Sequence, residues 1–327
     1  MSFQLNLRRL RQNPWIRDLS REVRVHSSQL IQPLFVVEGL RDREVVPGLT
    51  GVYRDTSQTI LAQIEKDLEA GARKFLLFGV PGEKKESGFS YDFTSSAIES
   101  IKKQFGSDLF LAVDVCLCSS TTHGQCGILS DSYDHVMNHQ TVVELAKAAT
   151  AYAQAGADCV APSDMMDGRI AAIRESLEEA GLEQTLLMSY SAKFHSKFYG
   201  PFRVAADSAP KGEVKLKDRA TYQIDPGRPS DALASSLRDA EEGADILMVK
   251  PGLPYLDVLA NLKREIPTLP WAVYEVSGEY AAIEMLAERG LMSGVDAHVE
   301  SWTAFARAGA SMIITYGARN GRKWLGE

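Results

Sequence analysis

Eight short apolar runs punctuate this chain, and most are separated by a segment with helical periodicity. They fall at residues 30–37, 74–80, 109–117, 158–162, 185–191, 245–250, 271–276 and 311–315. Each is rich in aliphatic side chains and lacks the polar alternation of a half-solvated strand, so each reads as a strand buried on both faces. Between them, residues 56–70 place Ile60, Ile64 and Leu68 four apart, with Thr56 or Ser57 as cap and Gly71 as stop. Residues 165–180 do the same with Ile170, Ile173 and Leu177, and residues 230–242 use Leu233 and Leu237. One junction recurs: Ala70-Gly71-Ala72, Ala155-Gly156-Ala157, Glu242-Gly243-Ala244 and Ala308-Gly309-Ala310. A glycine there takes the left-handed conformation that closes a helix, and alanine lets the helix approach the sheet. Strand–helix alternation implies parallel strands with right-handed crossovers. Eight such strands suggest an α/β fold, a closed (β/α)8 TIM barrel spanning residues 30–327. The alternative is an open doubly wound sheet, but no Gly-x-Gly-x-x-Gly follows an early strand. Residues 278–309 hold two helical patterns rather than one, and too few residues follow the eighth run for a full last helix.

In a barrel the chemistry gathers at the C-terminal ends of strands. The sixth run, Ile246-Leu247-Met248-Val249, passes straight into Lys250 and is stopped by Pro251-Gly252. An ammonium at that point must find a carboxylate, reach water, or lose its proton and become an amine nucleophile. Lys193 comes just after the fifth run, so two lysines would leave neighbouring strands side by side. Their like charges lower at least one pKa, and Phe194, Phe198, Tyr199 and Phe202 add desolvation in the same direction. Asp114, Cys116 and Cys118 lie at the end of the third run, Ser163 and Asp164 follow the fourth, Ser277 the seventh and Tyr316 the eighth.

Cys116-Leu117-Cys118 is followed after a Gly-rich loop by Cys126, with His123 inside that loop. Three thiolates at this spacing suit zinc, which takes three protein ligands and keeps a fourth position open when catalytic. His123 is a fourth ligand, a group that supports the ligands from behind, or a polar loop residue, the last two being favoured, and Cys159, inside a strand, is a small core residue. The first thirty residues lack the apolar core of a secretory signal, so the four cysteines point to a reducing, cytoplasmic setting rather than to disulfides. A net charge of −7 argues against nucleic acid as main partner. No apolar run reaches the length of a membrane span.

Residues 194–229 form a long segment without clear apolar period, the pattern of an active-site lid. Its basic side chains, Arg203 and Arg219 among them, suit a carboxylate- or phosphate-bearing substrate. Residues 1–29 are polar and basic yet carry Leu5, Leu7, Leu10, Trp15 and Ile16. They read as an arm that wraps a neighbouring subunit, or as a disordered tail.

Taken together, these residues resemble one family. Met188-Ser189-Tyr190-Ser191-Ala192-Lys193-Phe194, Phe198-Tyr199-Gly200-Pro201-Phe202-Arg203, Leu247-Met248-Val249-Lys250-Pro251 and Val276-Ser277-Gly278-Glu279-Tyr280 are similar to motifs of porphobilinogen synthase, also called 5-aminolevulinate dehydratase. So are Asp114-Val115-Cys116-Leu117-Cys118 and Ser163-Asp164-Met165-Met166-Asp167-Gly168-Arg169. The likeness extends over almost the whole chain. It implies a hydro-lyase that condenses two 5-aminolevulinate molecules to porphobilinogen, with loss of two waters, in tetrapyrrole biosynthesis. By that resemblance Lys250 forms the Schiff base with the first substrate and Lys193 engages the second, as another Schiff base or as a nearby cation. Asp114 and Ser163 sit near the proton transfers. Ser277 and Tyr316 hold the first carboxylate, Arg203, Arg219 and Gln223 the second, and Tyr199 and Phe202 border the substrates. Cys116, Cys118 and Cys126 bind a catalytic zinc. The resemblance also implies a homo-oligomer, usually an octamer of arm-hugging dimers. Many members use a glutamate for an allosteric magnesium where Ser235 stands here, so that site is not expected.

Two rival readings account for part of this. A class I aldolase-like lyase needs one lysine and leaves the cysteines unexplained. A zinc-stabilised scaffold normally shows four ligands, and only three are evident.

Overall fold

The structure is a computed structural model that describes residues 7–212 and 214–327. Its strands are β1 (Leu30–Val37), β2 (Glu44–Val45), β3 (Tyr53–Asp55), β4 (Lys74–Val80), β5 (Phe110–Val115), β6 (Cys159–Pro162), β7 (Leu186–Lys193), β8 (Ile246–Lys250), β9 (Trp271–Tyr274) and β10 (Met312–Ile314). The helices are α1 (Pro14–Leu19), α2 (Thr59–Glu69), α3 (Asp92–Phe105), α4 (Asn138–Gln154), α5 (Arg169–Glu179) and α6 (Gly200–Ala205). They continue with α7 (Pro229–Glu241), α8 (Leu256–Glu265), α9 (Ser277–Glu288), α10 (Gly294–Ala308) and α11 (Gly321–Leu325).

Eight parallel strands close on themselves in the order β1-β4-β5-β6-β7-β8-β9-β10. Closure is short: Leu30 and Ile31 of β1 pair with Ile313 and Ile314 of β10. Because β10 is only three residues long, the far half of β1 keeps an open edge. β3 fills that edge, pairing Arg54 and Asp55 with Phe35 and Val36, and β2 pairs antiparallel with β3. This hairpin was not evident from apolar runs, since β2 and β3 contain none. Its loop sends Val46, Leu49 and Val52 into the same interior cluster as Phe35 and Phe78.

Strand residues alternate between two cores. Leu247 and Val249 face the helices, whereas Ile246 and Met248 fill the barrel interior. All four Gly-Ala junctions close a helix as expected, with φ of +96° at Gly71, +105° at Gly156, +97° at Gly243 and +110° at Gly309. The alanine after each glycine donates back to the last helical turn, for example Ala157 N to Tyr152 O at 3.1 Å.

Three helices differ from expectation in detail. α2 begins at Thr59, because Thr56 Oγ1 accepts from Gln58 N and Thr59 N and holds a preceding turn. α5 begins at Arg169, because Met165 and Gly168 have φ of +76° and +79°. α7 turns Ala232, Ser236 and Asp239 inward and leaves Leu237 43% exposed. Asp239 is drawn in as the counter-ion of buried Arg169, 3.1 Å away.

At the N-terminal end, Asn13 Oδ1 caps α1 by accepting from Ile16 N at 2.9 Å. Leu7, Leu10, Trp15 and Leu19 remain exposed, Trp15 by 84%. Leu5, expected to share this apolar surface, lies outside the described residues.

Candidate active site

The two lysines meet through a bulge. Strict alternation along β7 from inward Met188 and Tyr190 would leave Lys193 facing the helices. Instead the register against β8 shifts: Ser189 pairs with Leu247, but Ala192 pairs with Val249 and Lys193 with Lys250. The extra residue turns Ala192 outward and Lys193 inward. The lysines are thus direct neighbours on adjacent strands, 5% and 4% exposed.

Aromatic rings surround the Lys250 amine. Nζ lies 4.0 Å from the Tyr274 ring centre, 5.0 Å from Phe202, 5.1 Å from Tyr190 and 5.5 Å from Tyr199. Burial, then the charge of Lys193, push its pKa down to about 7, against the pull of Asp114. At neutral pH an appreciable share is therefore free amine. Lys193 Nζ donates to the carbonyl of Ser163. Asp114, inward on β5, has a carboxyl pushed up to about 6 by burial, against the attraction of both lysines. Among the described residues its Oδ1 has no hydrogen-bond partner, and neither does the Tyr190 hydroxyl. Tyr190, quoted in the fifth-strand motif without a role of its own, faces both lysine amines with its ring. Lys193, Lys250, Asp114 and Ser163 line one narrow cavity of about 20 Å³ at the C-terminal ends of the strands, with Tyr199, Phe202 and Arg219; Tyr190 and Tyr274 stand behind its lining. A wider cleft of about 900 Å³ lies at the opposite end, where Lys102 pairs with Asp158 at 2.9 Å and Arg73 and Lys74 donate to the backbone carbonyls of Asp108 and Ser28.

The inward parity of β5 continues beyond its end, so Cys116 and Cys118 join the same cavity. The loop returns Cys126 to them, and the three Sγ atoms lie within 4.8 Å of one another. Thiolates around one tetrahedral zinc would sit about 3.8 Å apart at the usual Zn–S length, so the cluster fits a metal ion. Bonds from the Cys116 and Cys118 thiols draw Cys126 well below the usual thiol range, while bonds to Cys118 and Cys126 drive Cys116 well above it. One thiolate is already favoured. Burial opposes the charge of Arg219, but the sulfurs of Cys126 and Cys118 outweigh it. Arg219 also donates to Gly124 O at 2.9 Å and Ser208 O at 2.6 Å, joining the cysteine loop to the lid. His123 Nδ1 accepts from Gln125 N at 3.1 Å and is not in the sulfur cluster.

The segment expected to form a lid, residues 194–229, carries among its described residues a 3-10 helix, Lys197–Tyr199, and α6. Tyr199 Oη donates to Phe194 O at 2.7 Å. Phe202 packs on Phe78, ring centres 5.1 Å apart. Ser277 bonds this segment: its Oγ accepts from Phe202 N at 3.0 Å and donates to Phe198 O at 3.3 Å. Arg203 is half-buried, with its pKa lowered by burial and by Arg219 nearby. Gln223 is buried, and both of its side-chain polar atoms lack a partner among the described residues. Tyr316 stacks beside Phe35 at 6.4 Å, and its hydroxyl accepts from Tyr274 Oη at 3.5 Å. Arg203, Gln223, Ser277 and Tyr316 are not among the residues lining the lysine cavity.

Behind Ser163, Asp164 Oδ1 accepts from Met166 N at 2.7 Å, and its other oxygen lies 3.6 Å from Arg169 Nε. Arg169 Nη2 reaches Ser189 Oγ at 3.2 Å and Asp239 at 3.1 Å. Arg238 bonds Asp239, Asp167 and Ser235 Oγ, the last at 3.1 Å, so a fixed cation stands beside Ser235.

Residues 4–324 match the family model described as Delta-aminolevulinic acid dehydratase. The chain is 40% identical over 324 residues to a delta-aminolevulinic acid dehydratase of Bacillus subtilis, covering 98% of each chain. It is 42% identical to that of Methanothermus sociabilis over 314 residues, covering 95% of each. A solved delta-aminolevulinic acid dehydratase (porphobilinogen synthase) from Toxoplasma gondii, in complex with the reaction product porphobilinogen, superposes with a TM-score of 0.91 at 40% identity. That match covers 98% of this chain and 92% of the other.

Proposed function

Since the chain belongs to the delta-aminolevulinic acid dehydratase family of lyases, we propose that it condenses two molecules of 5-aminolevulinate to porphobilinogen and two waters, the pyrrole-forming step of tetrapyrrole biosynthesis. The observation that carries this reading is the in-register pair Lys193 and Lys250, turned into one cavity beside three thiols.

Lys250, part free base at neutral pH, attacks the ketone carbon of the first substrate. The carbonyl oxygen leaves as water and a Schiff base forms. Lys193 engages the second substrate, as a second Schiff base or as a fixed cation. Asp114 and Ser163 lie beside both lysines, and Asp114, its carboxyl near neutrality and Oδ1 unpartnered, is suited to exchange protons. Ser277 and Tyr316 take the first carboxylate. Arg203, Arg219 and the unpartnered amide of Gln223 take the second. Tyr199 and Phe202 exclude water over the amine. Cys116, Cys118 and Cys126 would hold zinc, which when bound supplies Lewis-acid polarisation of the second substrate. No magnesium role is proposed at Ser235, where Arg238 already supplies a cation.

The exposed leucines and Trp15 of the N-terminal segment support a role for residues 1–29 as an arm on a neighbouring subunit of a homo-oligomer, an octamer by family likeness. Among the described residues no helix is long and apolar enough to cross a membrane. A cytoplasmic location is our proposal. The test is product analysis: the purified protein should convert two 5-aminolevulinate into one porphobilinogen, lose this activity on chelation and regain it with zinc. Folded, zinc-supplied protein that leaves 5-aminolevulinate unconsumed would remove the reading.

A further inference from the structure

Glu279 lies in the first turn of α9 and is 3% exposed. Its two oxygens collect three backbone N–H groups. Oε2 accepts from Val276 at 2.7 Å and Gly252 at 3.2 Å, and Oε1 accepts from Leu253 at 2.5 Å. A carboxylate that only capped its own helix would need the first of these donors alone. The other two come from a different segment. Gly252 and Leu253 follow directly on Lys250-Pro251, whereas Val276 directly precedes Ser277. One buried carboxylate therefore joins the turn that carries the amine to the turn that carries the Ser277 hydroxyl. Burial pushes its pKa upward, while the three N–H donors pull it back.

Both turns are tight enough for this link to fix a distance. A Cβ on Gly252 would come within 2.5 Å of the Phe305 ring, and one on Gly278 within 2.6 Å of Phe198 O. Ser277 in turn holds the lid through Phe202 N. We propose that Glu279 is a positioning residue that fixes the Lys250 amine relative to the carboxylate seat at Ser277, so that a γ-keto acid is held at both ends as the amine attacks. This rests on the Schiff-base reading given above. The gain is orientational: a substrate anchored by its carboxylate reaches the amine as a near-attack conformer, and an unanchored ketone does not.

The test compares two ketones on the full-length protein. Levulinate carries the γ-keto acid, and 2-pentanone replaces its carboxylate by a methyl group. Each forms an imine with Lys250 and releases water, and borohydride supplies the hydride that reduces the imine to a stable secondary amine. Adduct formation on the Lys250 peptide is followed by mass spectrometry. In Glu279→Gln the preference for levulinate should fall about tenfold or more, while the 2-pentanone rate stays within about twofold of the parent. Glu279→Asp, with its charge kept and its reach shortened, should lie between, and it carries the comparison should the glutamine variant not fold. An unchanged preference, or an equal fall for both ketones, would overturn the positioning role. Absence of any Lys250 adduct with levulinate in the parent protein would instead fail the Schiff-base reading beneath it.

Discussion

Lys193→Met should raise the pKa of Lys250. Two causes depress that pKa to about 7: burial first, and the Lys193 charge second. The lysines pair directly on neighbouring strands. At an inter-strand spacing of about 5 Å and an effective dielectric of about 20, one unit charge opposes another by about 3 kcal/mol, or about two pKa units. Methionine keeps the apolar bulk and removes the charge. The protonated form of Lys250 then becomes easier to hold, so its pKa moves upward, to about 9. At a pH of about 7 the free-amine fraction would fall from about one half to about one in a hundred. The assay is the rate of borohydride-trapped levulinate on the Lys250 peptide as a function of pH, which reports the first half-reaction and does not need Lys193 as catalyst. The parent midpoint should stand near pH 7 and the variant midpoint about two units higher. A variant midpoint still near 7 would show that burial alone tunes the amine, and the argument from paired charges would be refuted.

Two further outcomes follow from other parts of the molecule. Cys126→Ser should remove the thiolate that anchors the sulfur cluster, lowering zinc affinity about tenfold to a hundredfold or more in equilibrium dialysis; parent-like affinity would take the cysteines out of the metal site. Asp239→Ala leaves the buried guanidinium of Arg169 short of a partner and should cost about 3–5 kcal/mol in urea unfolding, and a loss below about 1 kcal/mol would mean that Asp164 and Ser189 suffice.

Much of the barrel was legible because its signals are local. Each strand is an apolar run, and each Gly-Ala junction needs a left-handed glycine whatever surrounds it. The lysines were legible as strand ends, and the cysteines as a spacing. What escaped the sequence depends on partners distant in the chain. The β2–β3 hairpin exists because β10 is too short to cover β1. α7 buries Asp239 instead of Leu237 because Arg169, far earlier, needs a counter-ion. The bulge in β7 that turns Lys193 inward cannot be read from alternation, which would place that side chain on the opposite face. Ser277 was legible as a polar strand end, but neither its bonds to Phe198 and Phe202 nor the three N–H groups gathered by Glu279 were.

The central claim is that Lys250 is the amine that forms a covalent bond with substrate. Borohydride reduction of the active protein during turnover of 5-aminolevulinate, followed by peptide mapping, tests it most directly. A substrate adduct is expected on the peptide containing Lys250, with activity lost in proportion to its yield. Fully active protein that gives no adduct at Lys250 under these conditions would contradict it.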